Sequence, residues 1–267
     1  MRALRKTTGI ALIGAVSVLL SGCTVSEDAD SIQGQAVATA TTTVSTTVTT
    51  TQAAETNAEV SENQSAQNPF PHSQPGVYTD DSLDYRAMHQ SLEIKGRAPK
   101  TGYERERFGS AWADDVNVAG GRNGCDTRND ILQRDLSQIS VRNGTHGCFV
   151  ESGEFTSPYT GEHIDFRRGD NQVDIEHVVA LGDAWVKGAF EWDETKRRDF
   201  ANDPINLLAV DASSNRAKGA ADAASWLPPN KAFRCDYGRI QVHVKYVYGL
   251  WATDAEHRVL GELLDQC

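Results

Sequence analysis

The chain has 267 residues, 26 basic and 37 acidic side chains, a net charge of −11 and 39% hydrophobic residues. That acidity argues against a protein that holds nucleic acid by bulk charge alone. Five cysteines with no C-x-x-C leave a thiolate zinc site without support, and no H-E-x-x-H is present for a zinc peptidase.

Residues 1–22 read as a bacterial lipoprotein signal peptide. Arg2, Arg5 and Lys6 form a positive start, and residues 9–20 form an apolar run too short to span a bilayer comfortably. Leu20-Ser21-Gly22-Cys23 then sets small residues before a cysteine. On this reading Cys23 carries a lipid, the chain is exported, and its one link to the membrane is that anchor; the alternative is an ordinary secretory signal with an incidental cysteine, which leaves the chain secreted. Residues 23–77 are rich in Thr, Ala, Ser and Val and include Pro69, Pro71 and Pro75. They read as a disordered tether with an r.m.s. span on the order of 40 Å.

Residues 78–267 are long enough for one domain with a sizeable core. Residues 1–77 hold three basic and six acidic side chains, which leaves 23 and 31 in the domain, a net of −8. In an exported chain the four cysteines beyond Cys23 imply two disulfides. The pairing expected is Cys125–Cys148 with Cys235–Cys267, because each closes a loop within one region.

Along the domain, residues 91–112 read as loop plus a short helix. A helix starts near Cys125, capped by Asp126 or Thr127. Residues 141–150, with Asn143-Gly144, read as a hairpin. A short strand covers 162–166 and another covers 173–179. Residues 180–190 and 193–200 read as helices, 205–210 as a strand and 211–224 as a helix. Two further helices, 231–251 and 254–266, follow Trp226-Leu227-Pro228-Pro229. Trp185, Trp192, Trp226 and Trp251 fall at helix faces or ends and read as core. The whole is α+β, with a strand–strand–helix unit inside a mostly helical, disulfide-stapled domain.

The chemistry gathers on that unit. His177 has a side chain that titrates near neutrality, suited to a general base. Its neighbour Glu176 would project to the opposite face of a regular strand, so a shared site requires the strand to end or bend there. Carboxylate and amide oxygens from Glu176 and Asn215 suit one hard divalent cation, Mg²⁺ foremost, with Mn²⁺ or another divalent ion as an alternative. Asp174 shares a strand face with Glu176 and is the alternative ligand. The Asn206 amide is placed to hydrogen-bond across to the His177 strand. Arg128, Arg216 and Lys218 are candidates to contact phosphate.

Glu176-His177-Val178-Val179, then Asn206-Leu207-Leu208, then Asn215-Arg216-x-Lys218 resembles the HNH motif of the His-Me finger, or ββα-metal, nucleases. Asn215 follows Asn206 by nine positions, a spacing that recurs in HNH domains. The wider chain resembles exported HNH-family proteins related to the C-terminal nuclease domain of GmrSD-type restriction enzymes. That likeness covers most of 90–267 and includes Cys125-Asp126-Thr127-Arg128, Tyr159-Thr160-Gly161, Asp183-Ala184-Trp185 and residues 200–204. It implies His177 as general base, Asn206 as the residue that positions it, and Glu176 and Asn215 as ligands of one cation. It implies DNA as substrate, with RNA left open as the alternative, and no protein partner is read. Two departures stand out: Glu176 occupies a position that is usually Asp, and 29 positions separate His177 from Asn206. A non-catalytic surface lipoprotein that keeps an HNH-like fold is the rival reading, favoured by the net acidity.

Overall fold

The computed structural model describes residues 76–267. The expected signal peptide (1–22), the lipidation site Cys23 and all but the last two residues of the expected tether (23–77) lie outside the described residues.

The fold mixes helix and sheet. In chain order it runs α1 (Tyr85–Ser91), α2 (Thr127–Asp135), β1 (Ser137–Val141), β2 (Val150–Thr156), β3 (His163–Arg167), β4 (Val173–His177), α3 (Leu181–Trp185), α4 (Glu194–Asn202), β5 (Leu207–Asp211), α5 (Ala212–Lys218), α6 (Arg234–Tyr248) and α7 (Asp254–Leu264). β1, β2 and β3 form an antiparallel sheet in that order. β4 and β5 form a separate antiparallel pair, in register from Val173 opposite Asp211 to His177 opposite Leu207.

The β4–β5 pair lies between two cores. Val173, Ile175, Leu207 and Ala209 pack with α2 and the three-stranded sheet. Leu208 and Val210 pack into the larger core beneath α3, α6 and α7. All five residues of β5 are buried, which explains its unbroken apolar run: a strand covered on both faces has no polar side to alternate. β4 alternates because Asp174 and Glu176 face α5, which follows β5 directly. Asp211 caps α5 by accepting from the Ser214 N–H.

Several boundaries differ from the sequence reading, each for a backbone reason. Residues 141–150 are the connection of the expected hairpin, with its strands on either side. The helix expected over 180–190 stops after Trp185, and Gly188 takes φ +128°, outside helical space. The helix expected over 211–224 ends at Lys218, where Gly219 has φ +54°. Pro204–Asn206 is a 3₁₀ turn, so Asn206 sits just before β5 instead of within it. Within 91–112, expected as loop plus a short helix, the helical part is the 3₁₀ turn Arg105–Phe108, and α1 ends where that stretch begins.

The two disulfides join Cys125 to Cys148 and Cys235 to Cys267. The first ties the lead-in of α2 to the β1–β2 connection; the second ties the start of α6 to the residue beyond α7. Between α3, α6 and α7 lies an enclosed charge cluster. The Lys187 ammonium is 2.6 Å from Asp183, 2.9 Å from Asp222 and 2.7 Å from Glu256, while Lys245 is 3.0 Å from Glu256. Arg97 closes it at 2.6 Å from Asp222, bringing three cations against three carboxylates. Burial alone would raise the Asp222 pKa, but Lys187 and Arg97 outweigh it and hold that carboxyl below its usual range.

Candidate active site

β4 ends at His177, and this ending is what lets adjacent side chains share a site. Glu176, His177 and Asn215 line one cavity of about 210 Å³, together with Arg105. His177 and Arg105 also line a neighbouring cavity of about 220 Å³ with Trp112.

His177 is 6% exposed. Its Nε2 lies 2.8 Å from the Ala201 carbonyl. A carbonyl only accepts, so Nε2 carries the proton and the Nδ1 lone pair is left bare. The Trp112 ring stacks beside the imidazole, with centroids 5.8 Å apart and planes 11° off parallel. Burial lowers the His177 pKa to about 3 against the pull of the Ala201 carbonyl, and the positive charges of Arg105 and Lys218 lower it further. The ring is therefore neutral at ordinary pH and a weaker base than the near-neutral titration expected from residue type alone would make it.

Asn206 clamps the chain just beyond His177. Its Oδ1 accepts from the Val179 N–H at 2.8 Å and its Nδ2 donates to the Val179 carbonyl at 3.2 Å. The Asn206 carbonyl accepts from the Val178 N–H at 2.9 Å. The side chain is fully buried, so these bonds fix the exit of β4 where the ladder stops.

Asp174 and Glu176 meet α5 as two successive pairs. The Asn215 Nδ2 donates to Asp174 at 3.0 Å. One helical turn on, the Lys218 ammonium lies 2.5 Å from a Glu176 carboxylate oxygen and 3.1 Å from the His177 carbonyl. Burial pushes the Glu176 carboxyl up, and Lys218 pulls against it. Lys218 is enclosed, so it braces the site from within instead of reaching into solvent. Arg128 donates to the Val173 carbonyl at 3.3 Å and Arg216 to the Asn171 carbonyl at 3.4 Å, both near the start of β4. They lie at the end of the strand away from His177.

Three hard oxygen-bearing side chains, Asp174, Glu176 and Asn215, thus gather where β4 meets α5. Among the described residues no group of three His, Cys, Asp or Glu side chains converges on a point. An ion of the Mg²⁺ type takes one or two carboxylates and fills its other positions with water and phosphate oxygens; here the Glu176 carboxylate is engaged by Lys218 and the Asn215 amide nitrogen by Asp174.

Sequence reasoning did not find Arg105, Trp112 or the Ala201 carbonyl. The first two come from a segment about 65–70 positions upstream of His177 with no motif of its own, and the third is backbone.

A buried histidine with Nε2 held by a carbonyl thus lies beside Glu176 and Asn215 at the end of the strand pair. Residues 126–263, just over half the chain, match the family described as GmrSD restriction endonucleases, C-terminal domain. The chain belongs to that family. A similar protein, an uncharacterized secreted protein of Arthroderma benhamiae, is 35% identical over 201 residues, covering 74% of this chain and 90% of the relative. No solved structure matches the chain.

Proposed function

We propose that the chain is an exported, metal-dependent HNH-type endonuclease that hydrolyses phosphodiester bonds of DNA. The observation that carries this reading is the placement of Glu176, His177 and Asn215 on one cavity at the end of a strand–strand–helix frame. That frame, β4–β5–α5, is read as the ββα-metal unit, with α3 and α4 inserted between its strands.

In this reading His177 is the general base. Ala201 orients the ring, and the bare Nδ1 takes a proton from the attacking water. Asn206 holds the backbone that carries it. Glu176 and Asn215 hold one divalent cation, Mg²⁺ or Mn²⁺, with Asp174 adjoining. The ion supplies positive charge against the phosphoryl oxygens and the leaving oxygen. Lys218 balances the Glu176 carboxylate and secures the last turn of α5 to β4.

Export is supported by the apolar start of the chain, by two disulfides, which persist outside the reducing cytosol, and by the secreted relative. Lipidation at Cys23 would tether the enzyme to the outer face of the membrane. The net charge of −8 on residues 78–267 favours a second reading, a non-catalytic surface module. Plasmid nicking with Mg²⁺ separates the two. The endonuclease reading expects nicking by the wild-type protein, stopped by chelator and abolished in His177→Ala. Nicking that survives in purified His177→Ala would reject His177 as the base.

A further inference from the structure

Residues 103–113 form a strap that contributes Tyr103, Arg105, Phe108 and Trp112 to the walls of the two cavities at His177. Phe108 is 1% exposed and anchors it in the larger core, against Trp185 and Phe200. Gly109 turns the chain at φ +83°, and a Cβ there would come within 3.0 Å of the Arg198 side chain. Beyond the turn Ala113 is clamped on both sides: its N–H donates to Asn202 Oδ1 at 2.9 Å, and its carbonyl accepts from Thr127 Oγ1 at 2.9 Å. Asn202 is itself held by the Arg198 carbonyl at 2.9 Å.

This bracing sets the backbone that carries two side chains beside His177. Trp112 has φ +59°, a conformation that a bulky residue holds only when its surroundings impose it. Its half-buried ring lines the cavity of about 220 Å³ that also contains His177. Arg105 is exposed, lines both cavities that meet at His177, and has no carboxylate within 4.0 Å among the described residues. An exposed guanidinium, and an aromatic ring with one face toward the imidazole of the proton acceptor, line the same cavity and match the two halves of a nucleotide: phosphate and base.

We propose that the strap forms a nucleotide subsite, with Arg105 gripping a phosphate and Trp112 stacking against an unpaired base, so that single-stranded DNA is the preferred substrate class. This rests on the endonuclease reading and deepens it. A base stacked and paired within a duplex offers no free face to an aromatic side chain, whereas an unpaired or flipped base does. Both residues precede the stretch that matches the family, 126–263, so the preference belongs to the strap and not to the matched region.

The test measures binding to the wild-type protein in chelator, where nothing is cut, using a short labelled single strand and a duplex of the same sequence. The expected result is single-strand binding roughly ten-fold tighter or more. Trp112→Leu keeps apolar bulk without an aromatic face. It should weaken single-strand binding roughly five-fold or more, while duplex binding changes less than about two-fold. Trp112→Phe should retain most of the affinity. Arg105→Gln should weaken binding to both probes and reduce the slope of log affinity against log salt by about 1. Duplex preference, or equal losses on both probes from Trp112→Leu, would overturn the subsite. If the wild-type protein binds single strands as described but cuts neither probe with Mg²⁺, the endonuclease reading fails and the subsite stands. If it cuts DNA with Mg²⁺ but Trp112→Leu leaves single-strand binding unchanged, the subsite fails and the endonuclease stands.

Discussion

The division of labour between Asp174 and Glu176 turns on one methylene and one lysine. Both acids face α5, but Asp174 meets Asn215 and Glu176 meets Lys218. Glu176 shares the cavity with His177, and on the proposed reading it is therefore the ligand of an ion that acts on the same phosphate. A divalent ion at Glu176 competes with the Lys218 ammonium, so its affinity should be modest. Calorimetry with Mn²⁺ should find binding weakened roughly ten-fold or more in Glu176→Gln and changed less than about three-fold in Asp174→Asn. The reverse order would reassign the ligand to Asp174. At this scale the sequence marked His177, Asn206 and Asn215 by residue type and spacing. It gave no sign that Lys218, read there as a phosphate contact, is enclosed against Glu176, because burial is not written in a side chain's chemistry.

At the scale of elements, the strand–strand–helix frame was legible from apolar runs and caps. Asp126, Asp193 and Asp211 each cap the helix expected to follow. What the runs missed was where elements stop. β4 ends at His177 because the chain there turns into the Asn206 clamp, a contact between residues 27 positions apart at Val179. Asn206→Ala leaves the Val179 N–H and carbonyl buried without partners. The cost should be about 3 kcal/mol of unfolding free energy, read by denaturant titration. Asn206→Ala should also lower nicking beyond what the stability loss explains, since the clamp sets the exit of the strand that carries the base. Unchanged nicking in the folded variant would separate Asn206 from catalysis.

The whole molecule is held by two cores, two disulfides and the enclosed charge cluster around Lys187 and Lys245. The disulfides span separations of 23 and 32 residues. Chain-entropy reasoning assigns about 3–4 kcal/mol to each. Cys235→Ala with Cys267→Ala should therefore lower the thermal midpoint by several degrees or more, and a reducing agent should do the same to the wild-type protein. A midpoint unmoved by reduction would show that α6 and α7 are secured by packing and the charge cluster alone. Nothing in the sequence announced that cluster: Asp183, Lys187, Asp222, Lys245 and Glu256 are spread over about 75 positions and resemble any solvated charges.

The sequence alone determined what depends on residue type and short spacing: the mixed helix-and-sheet class, the local cysteine pairs, the capped helices and the histidine–asparagine motif. Those features are governed by backbone propensity, periodicity and the chemistry of single side chains, all of which are local. The tertiary structure alone decided which partners meet. It brought the Ala201 carbonyl to His177, Lys218 to Glu176, and the strap with Arg105 and Trp112 to the walls of the cavities at His177. Those contacts join distant segments, and they form because burying the core leaves each of these groups one place to go.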